Sequence, residues 1–192
     1  IDPDTQEPIN YEEKMPIIFW CFEEMLNNTK HTHVLKNVTV KSPEIAYEVN
    51  KILSSLSPLV AIWLKRHNLH KLLWCYSDFV LVFKRSFEII WPTWIQFNAS
   101  PEPDKFLILF LTAMIIGGFD KFSQMKDTSI TIMMDVFPKV LATLNAKHLG
   151  EVALYVYNNY YLLKEKTIEK GATEEDFVDI EFNFEFFKPI WK

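Results

Sequence analysis

The chain has 192 residues, of which 49% are hydrophobic, 15% aromatic and 23% charged, and its formal net charge is −5. This composition suffices for one globular core, and a negative charge without a basic stripe argues against a nucleic-acid partner. The 4 glycines against 10 prolines disfavour a glycine-rich phosphate loop and a turn-dense β fold.

The opening residues, 1–14, are acidic and carry no apolar periodicity. They predict a polar linker that continues from a preceding part of a longer chain. From Met15 to Leu26 the apolar residues recur at the spacing of one helical face, at Ile18, Phe22 and Met25. Residues 27–42 are rich in Asn, Thr, Lys and His, which predicts a loop or a short extended piece.

A well-formed helix start follows at Ser42-Pro43-Glu44, with Ser42 as the N-cap residue and Pro43 at the first helical position. The helix that begins there is marked by apolar residues at helical periodicity: Ile45, Val49, Ile52, Leu53 and Leu56. Pro58 permits a new helix, which the sequence predicts to end near His67-Asn68.

The stretch from Leu72 to Phe87, "LLWCYSDFVLVFKRSF", is almost wholly apolar until its last residues. It predicts a central core helix that is buried nearly all round. Lys84 and Arg85 close the stretch, and the macrodipole favours cations at a helix C-terminus. The alternative is that these two bases contact an acidic partner.

Pro92 interrupts "FEIIWPTWIQF", so this segment is predicted as either a kinked helix or two short turns. "ASPEPD", residues 99–104, is a linker that starts the next helix, and "KFLILFLTAMII" is that helix. Gly117-Gly118 are predicted to end it, and the apolar run falls short of the roughly 20 residues that a membrane span requires.

Two further amphipathic helices are predicted from apolar periodicity. The first carries Ile130, Met133, Met134, Phe137, Val140, Leu141 and Leu144, and the second carries Leu149, Val152, Ala153, Val156, Tyr157, Tyr160 and Tyr161. No strand pair with a hairpin turn stands out, so the predicted fold class is all-α, a multi-helix orthogonal bundle. The tail from Gly171 is acidic and rich in Phe, and its aromatic residues either cap the core or dock onto something else.

No catalytic motif or cofactor site emerges from the remaining residues. Cys21 and Cys75 both lie in aromatic runs, where buried reduced thiols are expected rather than a disulfide or a thiolate nucleophile. Two histidine pairs have spacings that a metal could use but lack a matching carboxylate or cysteine: His31 with His33, and His67 with His70. They are predicted to be loop histidines.

Several short groups of residues, called landmarks below, follow one another along the chain in a specific order. Phe19-Trp20-Cys21-Phe22 come first, and then Leu53, Leu56, Leu59, Leu64 and His67. Cys75, Tyr76, Phe83-Lys84-Arg85-Ser86-Phe87 and Trp94 follow. In this order the segments of residues 15–165 resemble the second half of a TBC domain, whose members activate Rab-type small GTPases.

The chain departs from the family pattern at Ser77-Asp78, where the family has Arg-Trp, at Ser86, where it has Glu, and at Thr93-Trp94-Ile95, where it has Leu-Trp-Asp. The family supplies catalysis in trans through an arginine finger in "IxxDxxR" and a glutamine finger in "YxQ", both in the first half of the domain. Neither motif occurs in this chain, and Gln6, which stands in "DTQ", is given no such role. No catalytic residue is assigned.

The resemblance implies three units: an acidic linker over 1–14, a helical lobe over 15–165 and an acidic, aromatic-rich tail over 166–192. It implies a Rab-type small GTPase and the missing N-terminal half of the domain as partners, with Lys84, Arg85 and Trp94 as candidate contacts. It also implies a cytoplasmic protein that reaches endomembranes peripherally, through its partners. No nucleic acid, cofactor, metal or transmembrane segment is expected.

Three hypotheses for function follow from these observations. The favoured one is that the chain is the C-terminal lobe of a TBC domain, which packs against the catalytic lobe and helps to hold the GTPase. The second is a TBC-like module that binds a small GTPase or a scaffold without accelerating hydrolysis. The third and least supported is a hydrolase that uses Cys21 or Cys75. An isolated half-domain is expected to be poorly soluble unless the aromatic tail covers its apolar face.

Overall fold

The computed structural model of the chain describes residues 11–84, 86–87 and 91–158. Helices make up the regular structure of these ranges and no β-strand occurs within them, which confirms the all-α fold class. In chain order they are α1 (Tyr11–Asn28), α2 (His31–Lys36), α3 (Val38–Leu56), α4 (Pro58–Arg66), α5 (Tyr76–Val80), α6 (Trp91–Ala99), α7 (Pro103–Ser123), α8 (Ile130–Leu141) and α9 (Ala146–Val156). Arg85 and the predicted tail unit 166–192 lie outside the described residues.

Helix α7 is the centre of the fold. It packs against α3, α4, α6, α8 and α9, and its apolar side chains are buried along most of its length. A helix that is apolar around its whole circumference is stable only where other elements cover every side. The core is therefore organised around α7, and not around the stretch Leu72–Phe87.

The predicted end of this helix at Gly117-Gly118 is wrong, because α7 continues to Ser123. A Cβ atom on Gly118 would lie 2.5 Å from ring carbons of Phe122 and 3.2 Å from Cγ1 of Val140. Val140 belongs to α8, so Gly118 marks the place where α8 approaches the backbone of α7. The missing side chain permits close packing, and it does not terminate the helix.

The full length of α7, 21 residues, also bears on membranes. Within the part of the chain that the structure describes, α7 is the one helix long and apolar enough to cross a bilayer by length and composition. The prediction that this run is too short is therefore wrong. However, 67% of its apolar window is buried inside the fold, as a core helix requires.

The stretch Leu72–Phe87 is largely buried, as predicted, but it is not one helix. Among its described residues only Tyr76–Val80 is helical, and turns lie on either side of it. Val82 and Phe83 adopt left-handed backbone conformations, with φ of 50° and 59°, and both side chains are buried. The indole Nε1 of Trp94 donates a hydrogen bond of 2.9 Å to the Val82 carbonyl, which ties this turn to α6.

The beginning of the chain is more helical than predicted. Helix α1 begins at Tyr11, inside the predicted linker, and the predicted loop 27–42 contains α2 and the start of α3. The helix start predicted at Ser42 is wrong, because α3 begins at Val38 and includes Pro43. The first residues of α3 have low helix propensity, so the sequence does not indicate that the helix begins there. Packing of α2 against α3 stabilises the helix despite this propensity.

The other helices follow the periodicity of the sequence, except in α8, where Ile130 and Met134 are exposed and the predicted member Leu144 lies beyond the end of the helix. Helix α4 begins at Pro58 as predicted, and Pro92 lies in the first turn of α6, which continues as one helix to Ala99. The predicted apolar positions of α3 are buried: Ile45, Val49, Ile52, Leu53 and Leu56. In α8 and α9 the buried positions include Met133, Phe137, Val140, Leu141, Leu149, Val152, Ala153 and Val156. Tyr160 and Tyr161 lie outside the described residues.

Candidate functional site

Helix α1 carries an apolar stripe that the rest of the fold covers only at one end. Met25 is buried and Leu26 packs against the core. Earlier in the helix, Ile18, Phe19 and Phe22 lie on the same side at helical spacing, but they are 37%, 59% and 37% exposed. The stripe therefore continues past the edge of the domain body.

The exposed half of α1 is also apolar on its other sides. Ile17 and Trp20 lie away from the stripe, and both are 64% exposed. A helical segment that is apolar all round is stable where protein or lipid surrounds it. The segment "MPIIFWCF", Met15–Phe22, thus has the composition of a buried helix and the surroundings of a surface helix.

Helix α6 lies beside α1 and extends this surface. The ring centroids of Phe22 and Trp94 are 5.2 Å apart, and Trp94 contacts Trp91 edge-on at the same centroid distance of 5.2 Å. Towards the end of both helices, the side-chain amide of Asn28 donates to that of Asn98 at 3.4 Å. These two contacts show that α1 and α6 run in the same direction.

The combined surface of the two helices is called the α1–α6 face here. It consists of their exposed apolar side chains: Met15, Ile18, Phe19, Phe22, Trp91 and Ile95. Trp91 and Ile95 are the α6 contribution, with 52% and 65% of their surface exposed. A contiguous apolar surface of this kind marks a place where another protein or a membrane binds.

Acidic residues border the α1–α6 face. Glu12 and Glu13 lie in the first turn of α1, and Glu23 and Glu24 lie next to Phe22 near its other end. The same helix carries one base, Lys14. A surface that matches this face therefore has an apolar centre and basic groups at its edge.

The three residues predicted as partner contacts occupy different environments. Lys84 is exposed in a turn after α5 and not at the end of a helix, so no helix dipole favours a cation there. Arg85 is outside the described residues. Trp94 is 8% exposed and its indole is bound to the Val82 carbonyl, so it supports the face from beneath. The exposed indole on α6 belongs to Trp91.

The two cysteines differ in their surroundings. Cys75 is buried, as predicted, and its thiol donates to the Leu72 carbonyl at 3.3 Å. Burial and the neighbouring Asp78 raise the pKa of this thiol, so it stays protonated at neutral pH and is a poor nucleophile. Cys21 is exposed on α1, so the prediction that both cysteines are buried is wrong for Cys21.

Two histidines depart from prediction, because His31 and His33 lie in helix α2 and not in a loop. His31 is not a loop residue but a fully buried residue of α2, with Nε2 2.8 Å from the Val80 carbonyl and its ring 5.4 Å from that of Phe79. Burial lowers the pKa of this imidazole. His67 and His70 lie in turns after α4, as predicted. Across the described ranges, no group of three or more His, Cys, Asp or Glu could hold a metal ion.

The sequence contains the signal for the α1–α6 face, but periodicity did not identify it as a surface. "MPIIFWCF" is apolar on every side of a helix, and such a run occurs in both buried and uncovered helices. Whether such a helix is buried or uncovered depends on the elements that pack against it, and a local sequence pattern carries no information about those elements. Comparison with family models, with curated proteins and with solved structures finds no match to this chain.

Proposed function

We propose that this chain is the C-terminal lobe of a TBC-type GTPase-activating protein for Rab-family small GTPases. In this role it supplies no catalytic finger. It packs against the catalytic N-terminal lobe and helps to hold the GTPase. The α1–α6 face carries the proposal, because it has the composition of an interior surface and no cover within the described ranges.

The place of this face in the chain supports the proposal. Phe19-Trp20-Cys21-Phe22, the first landmark shared with the family, forms the centre of the exposed half of α1. In a domain of two helical lobes, the first helix of the second lobe continues directly from the first lobe. Its uncovered apolar side chains are then the ones that the first lobe buries.

The later landmarks lie mostly inside the lobe. Those that are buried are Leu53, Leu56, Leu64, Cys75, Phe83, Phe87 and Trp94. Three departures from the family pattern are buried with them, since Asp78, Ser86 and Thr93 are 3%, 0% and 1% exposed. The Ser86 hydroxyl donates a hydrogen bond of 3.3 Å to the Asp78 carboxylate. These three exchanges alter the packing of the lobe, whereas the departures at Ser77 and Ile95 lie on its outer surface.

A second candidate function is binding of a small GTPase or a scaffold without acceleration of GTP hydrolysis. It is favoured by the absence of both finger motifs from this sequence. The two candidates share the same lobe and differ in whether a catalytic lobe acts together with it.

GTP hydrolysis by a panel of purified Rab-type GTPases tests the proposal. The native polypeptide that contains this chain is expected to accelerate hydrolysis by at least one of them, while residues 1–192 alone leave the rate unchanged. Phe19→Glu in the native polypeptide is expected to remove most of the acceleration, because a carboxylate without a partner is poorly tolerated between two lobes. Val40→Glu is the matched control, since Val40 is also 59% exposed but lies on α3.

The outcomes separate the two candidates. A native polypeptide that binds a Rab-type GTPase without changing its hydrolysis rate would leave the binding module as the function. A polypeptide that binds no member of the panel, with its helical circular dichroism intact, would overturn the proposal and also the GTPase-binding form of the second candidate.

A further inference from the structure

A groove opens on the domain between α3, α4 and the segment that follows α4. Its volume is about 790 Å³, and its lining includes Ala46, Tyr47, Ile62, Leu73 and two lysines, Lys65 and Lys71. This volume is within the range of sites that hold small ligands or several side chains of a bound peptide. None of these residues belongs to the α1–α6 face.

The walls of the groove are apolar and its charged groups are basic. Tyr47, Ile62 and Leu73 are 66%, 51% and 48% exposed, and neither Asp nor Glu lines the groove. Lys65 and Lys71 are exposed and form no ion pair within the described ranges. The groove therefore offers apolar surface together with positive charge.

The groove is held in shape by Asn50. Its side-chain amide donates to the Ala46 carbonyl at 2.6 Å and to the His70 carbonyl at 2.7 Å, which ties the segment after α4 to α3. The Nδ1 atom of His70, which also lines the groove, is buried and has no hydrogen-bond partner among the described residues. A polar group of a bound peptide would satisfy it, so the groove is preformed with one polar position open.

The last part of the chain has complementary chemistry. Residues 171–192 contain six acidic residues and two lysines. Within them, large apolar residues alternate with polar ones from Ile180 to Phe186, in the order "IEFNFEF". An extended segment with this alternation has its four large apolar side chains on one side and its acidic residues on the other.

The chain that connects the described fold to this segment is long enough for the segment to reach the groove. Residues 159–179 separate Asn158 from Ile180. A chain of that length spans up to about 70 Å when extended. The radius of gyration of a domain with about 150 residues is only about 15 Å, so the segment reaches any part of the surface.

We propose that residues 174–187 of this chain dock in the groove between α3 and α4. Their alternating aromatic side chains fill the apolar groove, and Glu181 and Glu185 face Lys65 and Lys71 at its rim. The α1–α6 face does not suit this segment, because its own border is acidic. The groove is thus a site for an acidic, Phe-rich peptide that the chain's own end occupies, whether or not a GTPase is the partner of the lobe.

Carbodiimide coupling of the full 192-residue chain tests the docking. The reagent joins a lysine amine to a carboxylate as an amide and takes up the water that is lost, so only groups in direct contact are linked. Mass spectrometry is expected to find links from Lys65 or Lys71 to acidic residues within 174–185. A mixture of ¹⁴N- and ¹⁵N-labelled protein is expected to give links within one isotopic species. Links that join the two species would mean that a second copy supplies the segment, and would overturn the proposal.

Hydrogen exchange of residues 174–187 gives an independent readout. The double variant Lys65→Glu/Lys71→Glu is expected to raise their exchange rates roughly tenfold, since both rim contacts become repulsive. Lys147→Glu, an equal change of charge per site at an exposed position on α9, is expected to have no effect. Wild-type rates equal to those of an unprotected peptide, or coupling to lysines spread over the surface, would contradict docking in this groove.

Discussion

His31 makes the stability of this fold depend on pH. Its Nε2–H donates to the Val80 carbonyl, and burial lowers the pKa of the imidazole although that hydrogen bond partly offsets the effect. In the unfolded chain the same group titrates near its ordinary pKa of about 6.5. The unfolded state therefore binds the proton more readily, and the free energy of unfolding falls as pH drops from the unfolded pKa towards the lowered folded one.

We expect the wild-type free energy of unfolding to decrease between about pH 7.5 and 5.5, and His31→Gln to remove most of that decrease. Glutamine keeps an N–H donor for the Val80 carbonyl but does not titrate. Urea unfolding at several pH values measures the effect, with His33→Gln as the control because His33 is exposed on the same helix. Equal pH dependence in the wild type and in His31→Gln would rule this explanation out.

Trp94 stabilises a backbone conformation at Val82 and Phe83 that these two residue types do not favour. Val82, a β-branched residue, and Phe83 both have positive φ, which costs on the order of 1–3 kcal/mol per residue. The Trp94 indole donates to the Val82 carbonyl in a buried environment. The strained turn persists because this bond and the burial of both side chains outweigh its cost.

Trp94→Phe is expected to lower the free energy of unfolding by about 1–3 kcal/mol, because it leaves the buried Val82 carbonyl without its donor. Chemical unfolding measures the change. Trp91→Phe is the control, since Trp91 is largely exposed on the same helix and a surface substitution is expected to cost less than about 0.5 kcal/mol. Similar losses in the two variants would show that the hydrogen bond is unimportant.

At the scale of the elements, helical periodicity predicted those helices that present a single stripe to the core. Ile45, Val49 and Ile52 identify α3 in this way. The same method failed for Leu72–Phe87, because burial on nearly all sides removes the alternation of polar and apolar residues on which it depends. A buried helix and a buried series of turns then have the same composition, and left-handed residues such as Val82 are set by tertiary contacts.

The candidate site was less accessible to sequence reasoning than the fold. The match to a family landmark predicts Trp94 as a contact, yet Trp94 lies beneath the surface and Trp91 is exposed in its place. Exposure of a particular indole on α6 depends on which side of the helix faces Val82 and α1. That orientation is a property of the packed molecule, and no local pattern specifies it.

Close packing of α7 against α8 leads to a prediction opposite in sign to helix propensity. Replacing a glycine inside a helix by alanine ordinarily stabilises it by about 1 kcal/mol. At Gly118 the new methyl group would lie 2.5 Å from the Phe122 ring. This ring is itself held by an edge contact with Trp74 and a tilted contact with Phe137. Gly118→Ala is therefore expected to lower the free energy of unfolding by about 1–3 kcal/mol.

Gly150→Ala is the matched variant for this test. Its Cβ would meet the end of the Gln96 side chain, which can rotate away, so a smaller loss of stability is expected. Thermal unfolding of both variants against the wild type measures the difference. A stabilised Gly118→Ala would mean that the Phe122 ring and α8 can both shift at little cost.

At the scale of the whole molecule, two apolar surfaces lie in surroundings of opposite charge. Glu12, Glu13 and Glu24 are exposed along α1 beside the α1–α6 face, whereas Lys65 and Lys71 stand beside the groove of α3 and α4. Apolar area favours binding at both places, and the charges at the edges decide which partner fits. An acidic, Phe-rich tail suits the groove and is repelled by the face, so occupation of the groove leaves the face uncovered.

This difference predicts the solution behaviour of the 192-residue chain on its own. With its tail in the groove, the chain still exposes Phe19 and Trp91 of the α1–α6 face, and two copies can bury these side chains against each other. We expect concentration-dependent self-association in sedimentation velocity, and we expect Phe19→Glu to shift the chain towards monomer without changing its helical circular dichroism. Leu59→Glu is the control, because Leu59 is 68% exposed but lies on α4. A wild-type chain that stays monomeric at every concentration and unfolds cooperatively would show that water tolerates the exposed α1–α6 face. A second lobe would then not be required to cover this face.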